Sequence, residues 1–299
     1  MTAEFAQRQR AHQHPNLRVH VKPAIGGVQL QKLDAAHLNR LYAQLGEKLS
    51  VRTVRYIATI LHRALRDAVK SDRIVRNPAD AATPPRAKDA RPPEMRTWDA
   101  ATLSKFFDLV EGNRYRTPWL VLATTGMRRG EVLGLRWRDL DLDGGRLSIR
   151  QTITLVDHKI VTANRTKAGK GRAVDLDAAT IAELRAHRAR QAQELLVLGI
   201  RQDADSLVFC LPDGRPYNPD RFSREFDRAL QRHPELERIR LHDLRHTWAT
   251  LALAAGVPVN IVSERLGHSA TAITLDTYSH VTPTMGADAA ETVAGLIFG

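Results

Sequence analysis

The sequence is poor in the features that mark several protein classes. It has one cysteine, Cys210, in 299 residues, so neither an intramolecular disulfide nor a paired-cysteine zinc site can form. Set in the apolar run LVFC, Cys210 is expected to act as a small buried hydrophobe. No apolar run approaches the ~20 residues of a membrane span, and the polar start MTAEFAQRQR lacks the core of a secretory signal. The expectation is a cytoplasmic protein with no membrane partner. A phosphate-binding loop is missing too: AGKGR has neither the spacing nor the hydroxyl residue of GxxxxGKS/T, so ATP-driven chemistry finds no support. Aromatic residues are only 5% of the chain.

Positive charge, by contrast, is plentiful. Lysine and arginine number 45 against 33 acidic residues, a net charge of +12, with a pI near 10.3. With 43% hydrophobic residues, the chain is a basic globular protein rather than a disordered one, and its length suits two domains. Residues 1–95 hold 17 basic and 8 acidic residues, whereas 96–299 hold 28 and 25. Three quarters of the excess therefore lies in the first third. A polyanion is the natural partner, nucleic acid first and an anionic membrane surface second.

Residues 77–95, NPADAATPPRAKDARPPEM, carry five prolines, which exclude a continuous helix or central strand and suggest an interdomain linker. Before it, residues 33–49 read as a helix capped by Asp34, and residues 51–70 as a stronger one. At 100° per residue, Arg52, Arg55, Thr59, Arg63, Arg66 and Lys70 form a stripe about 60° wide, opposite Val54, Ile57, Leu61, Leu65 and Ala68. Five like charges on one stripe repel one another, so a compensating polyanion is favoured over a merely solvated face.

After the linker, helices are expected from Asp99 towards Gly112, up to Gly126, and again over RRGEVLGLRW. The runs DLDGGRLSIRQTITLV, HKIVTANRT and GRAVDL then suggest a small three-stranded antiparallel sheet. Helices return at 178–198, after the Asn218 cap, and at 242–255. The fold class is mainly α with a small antiparallel β-sheet.

Some candidate chemistry can be weighed on residue type alone. Asp139, Asp141 and Asp143 alternate like a nuclease metal site, but DLDLDGG leads into a strand and fits turn chemistry better. His12, His14 and His20 lie in a proline-containing N-terminal stretch and are expected to be solvated rather than metal ligands. His242 and Arg245 sit three apart at a helix start, hence on one face, a pairing that by itself is commoner on plain surfaces. His268 follows a helix-stop glycine, and Tyr278 comes ten residues later among the polar Asp276, Thr277, Ser279 and His280. That polarity suggests an exposed, movable segment.

These residues carry a resemblance. HDLRHTWAT, LGHS and TLDTYSH resemble the C-terminal motifs of the tyrosine recombinase (phage integrase) family, and TGMRRGEVLGLRWRDLDL resembles its first arginine motif. The resemblance implies a helical core-binding domain followed by a mixed α/β catalytic domain. It divides the chain into a truncated or irregular tail (1–24), a partial helical DNA-binding domain (25–77), a proline-rich linker (78–96) and a catalytic domain (97–299). Set against the family's pattern, the expectation is that the first clamp helix is degraded or missing and that an arm-binding domain is absent.

The resemblance also implies a catalytic set of Arg128, Lys167, His242, Arg245, His268 and the nucleophile Tyr278, with Glu131 in support. Lys167 falls at a hairpin between the second and third strands, with Lys170 as the alternative. The implied reaction is cleavage and rejoining of double-stranded DNA through a 3′-phosphotyrosyl intermediate, for integration or excision of a mobile element, with no cofactor and no metal. The implied partners are DNA, a homotetramer on paired sites, and accessory DNA-bending or directionality factors. Arg52, Arg55, Arg63, Arg66 and Lys70 are the candidate DNA-binding residues. Two rivals remain: a non-catalytic regulator, because LALAAGVPVNIVSERLGHS has helix-turn-helix spacing with Gly256 at the turn, and a type IB topoisomerase, which uses similar chemistry.

Overall fold

The computed structural model describes residues 16–89, 95–156, 158–164, 171–278 and 294–296. The chain divides into two compact units, residues 1–94 and 95–299.

In the first unit a π-helical turn, Leu17–Val21, runs into α1 (Lys22–Ile25), followed by α2 (Ala35–Gly46) and α3 (Val51–Lys70). Asp34 caps α2 by accepting from the His37 amide, and Ser50 caps α3 by accepting from that of Thr53. The apolar stripe of α3 supplies Val54, Ile57, Leu61 and Leu65, which pack against Leu38, Leu41, Tyr42 and Leu45 of α2. Val21 is buried in the same core, so the stretch expected to be an irregular tail contributes helical turns and a core residue.

The proline-rich stretch also differs from expectation. Ala79 is buried in the first unit's core, Asp80 bonds His62 at 2.9 Å, the Thr83 amide donates to Asn39 Oδ1 at 2.7 Å, and Arg55 Nη1 donates to the Pro85 carbonyl at 2.6 Å. Proline forbids helix and sheet ladders but not packing. Residues 78–85 are therefore strapped onto the first unit rather than forming part of a free linker.

Among the described residues the second unit contains α4 (Ala100–Leu109), α5 (Arg116–Thr125), α6 (Arg129–Leu133), five short strands, α7 (Ala178–Val197), α8 (Pro219–Arg232), α9 (Asp243–Ala254), α10 (Val259–Leu266) and α11 (Thr271–Tyr278). Its scarce aromatics concentrate in the core: Trp98, Phe106, Trp119 and Phe226 pack with ring centroids 5.2–6.4 Å apart. Cys210 is free and buried, as expected.

The β region is two sheets rather than one. Among the described residues, β1 (Leu140–Asp141), β2 (Arg146–Ile149) and β5 (Arg172–Asp175) pair antiparallel in the order β1-β2-β5, while β3 (Gln151–Val156) pairs with β4 (Lys159–Asn164). The chain changes partners at Arg150. Leu147, Ile149, Gln151 and Ile153 keep one buried face through the change, so the sequence reads as one continuous strand. The Gln151 amide donates to the Gly134 carbonyl at 2.8 Å and draws β3 toward α6. Among the described residues β4 and β5 do not pair with each other, whereas the sequence suggests a hairpin between them that carries Lys167. Lys167 and Lys170 themselves lie outside the described residues.

The aspartate run behaves as turn chemistry. Asp139 pairs with Arg136, Asp141 accepts from the Gly144 amide, and Asp143 pairs with Arg185. Among the described residues no helix is long and apolar enough to cross a membrane.

Candidate active site

Two helix stops bring the site together. α5 ends at Gly126 (φ +65°) and α10 at Gly267 (φ +66°), a left-handed conformation that favours glycine. Space demands glycine as well: a Cβ on Gly126 would lie 2.7 Å from the Trp248 ring, and one on Gly267 would lie 2.6 Å from Arg172 Nη1. The carbonyls exposed at these stops become acceptors. Arg245, in the first turn of α9, donates to the Gly126 carbonyl through Nη1 and to the Leu266 carbonyl through Nη2 (2.8 Å). Arg128, just before α6, donates from Nη2 to the Gly267 carbonyl at 3.2 Å.

Glu131 supports this arrangement from beneath. It is buried, and its carboxylate accepts from the Arg128 amide (2.9 Å) and Arg128 Nη1 (3.1 Å). It also accepts two bonds from Arg172 of β5, Nη1 to Oε1 at 3.1 Å and Nη2 to Oε2 at 2.8 Å. Burial by itself would raise the carboxyl's pKa, but the Arg172 pair and then Arg128 outweigh it and hold Glu131 at about 2.

Two guanidinium groups thus bind one carboxylate, and a third, that of Arg245, lies close enough to feel the charges of Arg128 and Glu131. Arg245 is only 3% exposed; burial first, then the nearby Arg128 charge, bring it down to about 9, so it remains cationic at neutral pH. Arg128 keeps a side-chain exposure of 39% and retains N–H groups for a ligand.

Two histidines border the cations. His268 Nδ1 is 2.8 Å from the Thr274 hydroxyl, which leaves Nε2 to face an anion. Burial, followed by the charges of Arg245, Arg128 and Arg172, pushes His268 down to about 4. His242 caps α9 with one edge in solvent; partial burial, then His246 and Arg245, lower it to about 4 as well. Both rings are neutral near pH 7.

Tyr278 ends α11, and here the expectation of an exposed segment is overturned. Tyr278 is 1% exposed and packs with Ala249, Leu253, Val262 and Leu266, while Ile273 and Leu275 of the same helix are 42% and 46% exposed. Burial pushes the phenol up to about 12, against a lowering effect of Arg245. Its hydroxyl lies 2.8 Å from His246 Nδ1.

A family model described as "Phage integrase family" matches residues 98–285. The chain belongs to the phage integrase family. It is a tyrosine-type site-specific recombinase. Among curated relatives of this family, it is 29% identical over 288 residues to "Tyrosine recombinase XerC-like" of Caldanaerobacter subterraneus, covering 91% of this chain and 71% of that protein. It is 29% identical over 253 residues to the ICEBs1 integrase of Bacillus subtilis, covering 83% and 67%. Among solved structures, the Tn1549 transposon integrase in complex with transposon right end DNA superposes with a TM-score of 0.78 at 17% identity, covering 98% of this chain and 95% of that one. A lambda integrase dimer bound to a core site gives 0.63 at 15%, covering 92% and 88%. At these identities the structural likeness shows the fold.

Of the residues expected from the integrase motifs, Arg128, Glu131, Arg245 and His268 converge, with His242 at their edge, while Tyr278 at the end of α11 meets α9 at His246, one turn along from His242. The regulator rival loses ground because α9 and α10 do flank Gly256 but are used to build the arginine site. Arg172, His246 and Thr274 were missed. Arg172 had a visible signal, since it shares the inward face of its strand with Val174 at period two, and His246 repeats His242 at i,i+4.

On α3, Arg52, Arg63, Arg66 and Lys70 are exposed. Arg55 differs: it is partly buried and tied to the Pro85 carbonyl, so it holds the proline stretch in place.

Proposed function

We propose that this recombinase cuts and rejoins double-stranded DNA through a covalent bond between Tyr278 and a 3′-phosphate. The observation that carries this reading is Arg245. A buried, charged guanidinium hydrogen-bonded to two carbonyls, beside Arg128 and with the local carboxylate gripped by Arg172, is a site short of one anion. A phosphodiester supplies that anion. Its transition state gathers further charge on the nonbridging oxygens, which fixed guanidinium donors stabilise.

In the proposed step the Tyr278 oxygen bonds to phosphorus, its proton passes to neutral His242, and the bond from phosphorus to the 5′-oxygen breaks. His268 Nε2 donates to a nonbridging oxygen. Lys167, assigned on its motif, gives a proton to the departing 5′-oxygen. The covalent link conserves the energy of the broken bond, so rejoining by the reverse step needs no ATP. The exposed stripe Arg52, Arg63, Arg66 and Lys70 grips the flanking backbone. Paired sites and a homotetramer of this chain, assisted by DNA-bending or directionality factors, would complete strand exchange for integration or excision of a mobile element in the cytoplasm.

The test is a plasmid carrying two copies of the DNA that flanks the gene. Recombinant circles are expected. Relaxation of supercoils without exchange between sites would assign the chemistry to a topoisomerase instead.

A further inference from the structure

The residue in contact with the nucleophile is one that the family motifs leave without a role. His246 presents Nδ1 to the Tyr278 hydroxyl at 2.8 Å, with ring centroids 5.8 Å apart. One turn along α9, the His242 ring stands perpendicular to His246 at 5.1 Å. The three rings form a row running from buried Tyr278, through half-buried His246, to exposed His242. A phosphate in duplex DNA cannot reach a phenol that is 1% exposed. The nucleophile must therefore leave its seat before it attacks, and the row shows the direction of travel.

Two things oppose departure. One is the apolar contact with Ala249, Leu253, Val262 and Leu266. The other is the hydrogen bond to His246, since a buried hydroxyl without a partner is costly.

We propose that His246 is a positioning residue that docks Tyr278 in a retracted state, one turn of α9 inward of His242, and that DNA cleavage requires transfer of the hydroxyl from His246 toward the Arg128–Arg245 site. This rests on Tyr278 being the nucleophile. The charged and titratable groups facing His246 are His242, Asp243 and Arg245 of its own segment, Arg240 before it, His268 beyond α10, and Tyr278. Burial lowers the His246 pKa first; the cations Arg245 and Arg240 and the His268 ring add to that, and Asp243 opposes it. A neutral imidazole can take the phenolic proton as a hydrogen bond without competing for it as a charge.

The experiment uses the full chain, saturating amounts of a nicked duplex drawn from the DNA flanking the gene, and single-turnover formation of the covalent adduct. His246→Leu keeps bulk but removes the acceptor, and the adduct should form about fivefold faster, the factor expected for loss of one net hydrogen bond in the docked state. His246→Asn, whose amide can occupy the Nδ1 position, should restore the wild-type rate. In ¹³C-tyrosine spectra the Tyr278 phenol should titrate closer to an ordinary tyrosine in the leucine variant and stay elevated in the asparagine one. If His246→Leu does not fold, His246→Gln, which reaches past the Nδ1 position, takes its place with the same expectation. Equal rates in all variants overturn the proposal. Slower adduct formation in both the leucine and asparagine variants also overturns it and makes His246 the proton acceptor. Absence of adduct in wild type as well overturns the nucleophile assignment itself, a result distinct from either of those.

Discussion

Arg172 grips both oxygens of buried Glu131, at 3.1 and 2.8 Å, and Glu131 in turn holds the amide and the guanidinium of Arg128. The pair ties β5 to the start of α6, so a residue of the small sheet sets the position of the arginine expected to meet DNA.

Replacing Arg172 by Met should therefore be among the most damaging changes in the second unit. It leaves a buried carboxylate with one cationic partner in place of two, and breaking a buried pair costs about 3–5 kcal/mol. Urea unfolding should show that loss. Arg172→Lys keeps the charge but not the two-pronged grip, and should fall between the two. A stability equal to wild type in Arg172→Met would remove the pair from the account.

The same carboxylate sets an acid limit. Its folded pKa of about 2 lies below the ordinary 4.5, so its contribution is complete above pH 4.5 and is lost as pH falls toward 2. The depression corresponds to about 3 kcal/mol. Unfolding measured from pH 7 downward should show the gap between wild type and Glu131→Gln narrowing below pH 4.5. A gap independent of pH would contradict the assignment.

Arg245 offers a test of chemistry apart from stability. A lysine at this position keeps a cation but cannot span the Gly126 and Leu266 carbonyls and still present a planar pair of donors. Arg245→Lys should slow adduct formation by about 10²–10³-fold while DNA binding, measured by gel shift, changes little. Loss of binding in step with loss of rate would make Arg245 a binding residue only.

On α3, Arg63 and Arg66 are exposed while Arg55 is engaged by Pro85. Replacing Arg63 and Arg66 with Ala should lower the slope of log K against log salt by roughly one to two units. An unchanged slope would return the stripe to ordinary solvated surface.

What could be read from the sequence follows from where local rules decide the structure. The Asp34, Asp99 and Asn218 caps mark helix starts that the structure reproduces, because a cap is satisfied within its own turn. The motif residues Arg128, Glu131, Arg245 and His268, far apart in sequence, lie together in the structure. Tertiary context hid the rest. The partner switch at Arg150 leaves the alternation of buried residues intact, so no period change announces two sheets. In α11 the pattern is inverted: Thr274 is buried because it bonds His268, and Ile273 and Leu275 face outward. Polar neighbours therefore suggested exposure for a tyrosine that is buried. Arg172 and His246 act through long-range contacts, and spacing alone did not distinguish them from surface residues.

The central claim is that Tyr278 becomes covalently joined to DNA at a site built from Arg128 and Arg245. Its most direct test is a nicked duplex containing the protein's own site, which traps the intermediate because the freed 5′ fragment diffuses away. Wild type should give a protein–DNA adduct that survives denaturant and carries the label of the strand ending in the 3′-phosphate, and Tyr278→Phe, which keeps the packing of the ring, should give none. An adduct of equal yield in Tyr278→Phe, or no adduct from wild type on that site, would contradict the account.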